Sequence, residues 1–211
     1  MPLTLFGLLK PKQECKGLIG YYGLAEWWRN AFSDDERRRV TERFQPLGSS
    51  PGSLTEQDIS WTSQSVVGFL HAFAGWFSAA EDRPIAYKIL AKADELEAEA
   101  PILDRHFLYQ AKLETHYKDR DKPGELEKAI EACRAQIALA PKAAEAFRAE
   151  YQGAPLPGHR GYQQLAIILE KQGRFDEAIE LCRMAEQQEW AGDWDHRVAR
   201  CMKKQTKAAK R

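Results

Sequence analysis

Thirty residues, Gly161–Trp190 (GYQQLAIILEKQGRFDEAIELCRMAEQQEW), admit few folds. In their first half Tyr162, Leu165, Ala166 and Leu169 recur at steps of three and four, which places them on one face of a helix. Gln163, Gln164, Glu170 and Lys171 fall largely off that stripe. Gly173 then stands where a helix ends with a residue at positive φ. Phe175, Ala178, Ile179, Cys182 and Ala185 repeat the same spacing after it. Two antiparallel amphipathic helices follow, joined by a tight turn. Ala166 and Ala178 let the two backbones approach closely, and Tyr162, Leu165 and Phe175 fill the space around them.

The aromatic at Tyr162, the Leu165–Ala166 pair, Leu169, the Gly173 turn, Ala178 and Ala185 resemble the tetratricopeptide repeat (TPR). Cys182 replaces the usual aromatic of the second arm, and Trp190 stands where that family has proline. The resemblance implies an all-α fold: an irregular stack of antiparallel helix pairs, an α-solenoid. It implies a shared scaffold rather than a shared activity. Looser copies lie upstream. Val67, Leu70, Phe73, Ala74 and Phe77 form a broad stripe within Ser60–Ala80. Pro84 suits the first turn of the next helix, which carries Ala86, Leu90, Ala93 and Leu96 and ends by Pro101. Ile102–Lys118 and Leu126–Ala140 make a second pair, with Asp119–Gly124 as its turn. Pro141 takes the family's closing proline, so a separate helix is expected over Pro141–Gln152. Ala86, Ala129 and Ala178 are 43 and 49 residues apart, not the family's 34, so the repeats are irregular. They fall at about 60–101, 102–152 and 159–190, with a capping helix over 193–205. Asp193 is placed to cap that last helix, and Trp194, Val198 and Met202 to pack it.

Composition agrees with helix. There are 29 Ala against 4 Val, and no stretch alternates at period two. The chain of 211 residues is long enough to bury a core. Its four cysteines, Cys15, Cys133, Cys182 and Cys201, form no close-spaced pair. Cys133 and Cys182 sit on core stripes, where a free thiol acts as a small hydrophobe. That usage suits a reducing cytoplasm. Met1–Leu9 is apolar without a basic leader, so no signal peptide is expected, and no stretch approaches a membrane span. Lys203–Arg211 holds five basic groups and no acid, which leaves residues 1–202 with a formal −5. That balance argues against a nucleic-acid surface on the body.

Residues 1–50 read as a leader and an aromatic helical segment, with the repeats in 51–211. Met1–Gln13 is an extended or loosely helical leader. Leu18–Phe32 reads as one helix whose Tyr21, Tyr22, Trp27, Trp28 and Phe32 cannot share a face, so something covers two sides of it. Ser33-Asp34-Asp35-Glu36 is a capping box opening a helix to about Phe44, stopped by Pro46. Gly48–Ser53 (GSSPGS) is the best boundary candidate.

The chain carries few motifs of known chemistry. There is no GxSxG, Walker loop, GxGxxG or HExxH, and no cofactor or metal is expected. Glu114, His116 and Asp119 form the densest polar cluster, but Glu114 and His116 lie about 200° apart on a helix. His159 with Tyr162 and Cys182 could suggest a base and a nucleophile, yet a thiol on an apolar face is inert. His159 reads instead as a residue that terminates the loop or donates to the backbone. His71, His106 and His196 read as surface or core-edge residues. A pocket holding two ionisable groups within hydrogen-bond reach would point to an enzyme. The expected role is a non-catalytic scaffold that binds a peptide or helix of a protein partner. By resemblance to the family's inner surface, Arg160, Gln163, Gln164, Ile167 and Lys171 line its groove. The alternative is a homodimer formed through Tyr21, Trp27 and Trp28.

Overall fold

The computed structural model describes residues 15–48 and 50–209, and the expected leader Met1–Gln13 lies outside them. Among the described residues the regular elements are ten α-helices and one 3₁₀ turn, with no strands. No helix among them is long and apolar enough to cross a membrane. The chain divides into two compact units, Met1–Ser63 and Gln64–Arg211.

In the first unit the aromatic stretch is two short helices rather than one: α1 (Gly17–Tyr21) and α2 (Ala25–Ala31). The run breaks because the Gly23 and Leu24 amides turn back onto the Gly20 and Ile19 carbonyls, at 3.0 and 2.9 Å. Helix α3 (Asp34–Arg43) starts on the expected capping box. The Glu36 amide donates to the Ser33 hydroxyl, and the Ser33 amide to the Glu36 carboxylate. The unit runs past the segment that reads as a boundary, and Ser53 at the end of that segment bonds within it. The Ser53, Leu54, Thr55 and Gln57 carbonyls accept the free amides of Lys16 to Ile19 at the start of α1.

The second unit opens with α4 (Val66–Gly75), capped by the Ser65 hydroxyl, and α5 (Arg83–Glu95), with Pro84 in its first turn. Helix α6 (Ile102–Lys118) matches its expected bounds. Helix α7 does not: it runs unbroken over Glu125–Glu150, with Pro141 inside it. A proline in a helix interior costs roughly 3 kcal/mol through a lost hydrogen bond and a ring clash. Burial on the same helix offsets that cost, since Ala140, Ala143, Ala144 and Phe147 all enter one apolar cluster. The separate helix expected over Pro141–Gln152 is therefore the second half of α7.

Helices α8 (Arg160–Lys171) and α9 (Phe175–Gln187) are the pair read from Gly161–Trp190, turned at Gly173 with φ +75°. Helix α10 (Trp194–Ala208) closes the unit. Two details of its docking differ from expectation. The Asp193 carboxylate makes no cap bond and lies 2.5 Å from His196 Nδ1 instead. Met202 is 48% exposed, and its neighbour Cys201 is fully buried against α8 and α9 residues. A one-residue change of phase rotates a helix by 100°, so the packed stripe is Trp194, Val198 and Cys201.

Within the second unit, helices pack on their sequence neighbours: α4 on α5, α6 on α7, α8 on α9, and α9 on α10. The first members of successive pairs also touch, α4 with α6 and α6 with α8, and α7 packs on α8.

Candidate functional site

The expected groove residues lie on one stripe of α8 directed toward α6. The exposed Arg160 places its Nε 3.1 Å from the Glu114 carboxylate of α6. Lys171, a little over three turns later, donates to the Tyr117 hydroxyl at 3.1 Å, with its ammonium 5.8 Å from the centre of that ring. Gln163 holds Arg160 from the same helix, and Ile167 between them is half-buried. Gln164 differs from the rest: its Nε2 is buried without a hydrogen-bond partner. Glu114 also lines a hollow of about 280 Å³ between α4 and α6. Its walls include His71, Gly75, Phe107, Gln110 and Lys118. The structure thus joins the α8 stripe to that hollow through a shared residue.

The polar cluster read at Glu114, His116 and Asp119 is split by the fold. Glu114 faces α8, whereas His116 and Asp119 turn to α5 and the start of α7. Arg83 pairs with Asp119 at 2.9 Å and holds its carboxyl well below the usual carboxylate range. The Tyr87 hydroxyl reaches both Asp119 (2.9 Å) and Glu125 (2.8 Å). His116 Nδ1 meets Glu125 at 2.7 Å. Burial works against ionisation of Glu125, but hydrogen bonds from His116, Lys128 and Tyr87 hold its pKa down at about 2. A trough of about 480 Å³ opens beside these groups, over Leu90, Ala91, Lys112 and Ala132. His116 and Glu125 are therefore two ionisable groups within hydrogen-bond reach beside a cavity. Their bonds join the end of α6 to the start of α7, and the carboxylate is already matched by Lys128 and Tyr87. No group of three or more metal-ligating side chains occurs among the described residues.

A second polar constellation, hidden in the core, escapes sequence reading. His106 and His159 are 1% and 0% exposed, with ring centres 5.0 Å apart and edge to face. His106 also stacks on the Trp190 indole, at 5.7 Å and 10°. Gln136 of α7 fixes the arrangement. Its Oε1 accepts the Gly161 amide at 2.7 Å, and its Nε2 donates to the His106 carbonyl at 3.0 Å and meets His106 Nε2 at 3.2 Å. Gly161 is required here, since a Cβ would come within 2.8 Å of Gln136 Oε1 and 3.0 Å of the Cys133 carbonyl. His159 caps α8, where its Nδ1 accepts the Tyr162 amide at 3.3 Å. It accepts from the backbone rather than donating to it. Burial pushes the pKa of His106 down to about 4 and that of His159 to about 3, so both are neutral at pH 7. His106 is thus a core residue, not a surface or core-edge one. The only sequence signal for it is its place three residues before Tyr109 and seven before Leu113 on α6. Cys182 belongs to the same apolar cluster as Tyr162, and burial lifts its pKa to about 11, so it is a thiol at pH 7.

In the first unit Trp28 is 5% exposed and its ring meets Phe32 at 5.0 Å. It is not available as an interface residue. Tyr21 is 42% exposed, and Trp27 is part-buried with its ring edge-on to Phe32.

No family model, curated protein or solved structure matches this chain.

Proposed function

We propose that residues 66–190 form an irregular TPR-like stack whose first-arm face, built by α4, α6 and α8, binds an extended peptide or helix of a protein partner without catalysis. One observation carries this reading. Glu114 both lines the α4–α6 hollow and pairs with Arg160, so the hollow and the α8 stripe make one continuous surface. The contacts of α4 with α6 and α6 with α8 support the stacked order. Arg160 and Glu114 neutralise each other, while the exposed cations Lys118 and Lys171 remain on the face. That balance suits a ligand with acidic groups, with half-buried Ile167 as an apolar contact.

The test is a displayed peptide library selected against the purified protein. Selected peptides should be enriched in Asp and Glu and should bind an Ile167→Ala/Lys118→Ala variant about tenfold or more weakly, the loss of roughly 1.4 kcal/mol. A Glu131→Ala variant, altered on the α5–α7 side, should bind normally. Equal binding by wild type and the Ile167/Lys118 variant would refute the face as the site.

A further inference from the structure

We propose that His106 and His159 form an acid-released latch that holds the α8–α9 pair against the α6–α7 pair. The latch turns on which ring nitrogens can take a proton. Gln136 Oε1 accepts from Gly161, which sets the amide so that Nε2 is the donor toward His106. His106 Nε2 is then an acceptor, and its hydrogen sits on Nδ1. His159 Nδ1 accepts from Tyr162, so its hydrogen sits on Nε2. Both of those N–H atoms are buried without an acceptor. The one lone pair left on each ring is the one already used to hold a helix in place. Protonating His159 turns the cap of α8 into a second donor facing the Tyr162 amide. Protonating His106 sets a donor against the Gln136 amide, the side chain that ties α6 to the start of α8. Either charge would stand in an aromatic surround of Phe107, Phe147 and Trp190 and beside the other imidazole.

No charged side chain on the packed elements would relieve such a charge, and burial together with the His106 ring outweighs the help that the Gln136 and His159 backbone gives His159. The titratable groups there are Tyr162 on α8, Cys182 on α9 and Cys133 on α7, and burial raises the pKa of all three, so they stay neutral near pH 7. From α4, His71 stacks on the far side of Phe107; burial lowers its pKa, with Asp104 opposing. The charged pair adjoining Phe147 and Trp190 in sequence, Arg148 and Glu189, is already matched at 2.6 Å on the surface. Both histidines titrate lower in the folded state than in the unfolded chain, where the ordinary value is 6.5. The latch is therefore fully closed above pH 6.5 and weakens as pH falls, by about tenfold in the closed-to-open ratio per pH unit for each ring.

Hydrogen-exchange mass spectrometry on the full chain between pH 7.5 and 4.5, corrected for intrinsic exchange, tests this. Protection of Arg160–Lys171 should fall steeply below pH 6.5, ahead of α4 and α5. His159→Asn keeps a capping oxygen, and His106→Phe keeps the ring on Trp190. The double variant should hold its protection at least one pH unit lower. Loss at the same pH in wild type and double variant would overturn the latch. Should the double variant not fold, imidazole NMR of the wild type decides. Two rings that stay neutral below pH 5 support the latch, and titration of both near 6.5 overturns it. The further consequence, that opening parts Arg160 from Glu114 and weakens peptide binding, rests on the function proposed above. Exchange that responds while binding does not would leave the latch standing and refute only that coupling.

Discussion

Gln136 Oε1 accepts the backbone amide of Gly161 across the seam between α7 and α8, at 2.7 Å and with Gln136 fully buried. The bond satisfies one of the four amides that every helix leaves open at its start. The other end of the same side chain holds α6. A single glutamine thus ties three helices.

Replacing Gln136 by Ala removes both ends and strands the Gly161 amide in the core. The expected cost is about 2–4 kcal/mol, more than an ordinary surface substitution. Urea unfolding followed by circular dichroism measures it. A loss below about 0.5 kcal/mol would mean that the bridge is idle.

Glu170 ends α8 as a buried carboxylate serving three cations of α10. Arg200 Nη2 lies at 2.6 Å, Lys204 Nζ at 2.8 Å and Arg197 Nη1 at 3.4 Å. Glu170→Ala leaves those cations without their common partner. It should cost about 1–2 kcal/mol, less than a fully buried pair, because Arg200 and Lys204 are half exposed and water screens them once the carboxylate is gone. Amide exchange over Trp194–Ala208 should rise far more than over α4. Equal effects on both would show that Glu170 does not hold α10 specifically.

The same carboxylate sets a distinct acid response. Arg200 first, then Lys204, holds its pKa near 2 against burial, from an ordinary 4.5. The folded state therefore binds this proton less readily than the unfolded chain. Its contribution is intact above pH 4.5 and is lost as pH falls toward 2. Asp119, held low by Arg83, acts in the same direction. Glu170→Gln should thus flatten the stability curve below pH 4.5 and leave the slope between 6.5 and 5 unchanged. A change in that upper slope would contradict the assignment.

Thiol chemistry reports on the packing of the second unit. Burial raises Cys133 to about 12 and Cys182 to about 11, and it raises Cys201 as well. Native protein at pH 8 should expose Cys15 to Ellman's reagent, while the other three react on the order of 100-fold more slowly. All four should react at once in guanidinium. Rapid native labelling of Cys182 would show that the α8–α9 core is open.

Trp28→Ala separates burial from self-association. With its indole 5% exposed, the substitution should cost about 3–5 kcal/mol and leave the oligomeric state unchanged. Sedimentation equilibrium beside a thermal melt tests both halves. A shift from dimer to monomer at unaltered stability would return Trp28 to an interface.

Features governed by a few adjacent residues were legible in the chain alone. The Ser33–Glu36 box, Pro84 in the first turn of α5, the α6 bounds and the Gly173 turn are of this kind. The candidate face was legible only in part. The residue types on α8 could be named, but their partners Glu114 and Tyr117 lie 46 and 54 positions away. The pairing of His116 and Asp119 with Tyr87, Arg83 and Glu125 depends in the same way on where three helices meet.

By itself, then, the sequence determined that this protein is all-helical and where most of its helices begin and end, because propensity, capping and periodicity act over one or two turns. Tertiary structure decided the rest. It carried α7 through Pro141, since buried alanines on the same helix outweigh one lost bond. It turned α10 onto Cys201 rather than Met202, and drew His106 and His159 into a shared core. Each of those outcomes depends on burial against residues distant in the chain, and no local pattern encodes which distant surface will arrive.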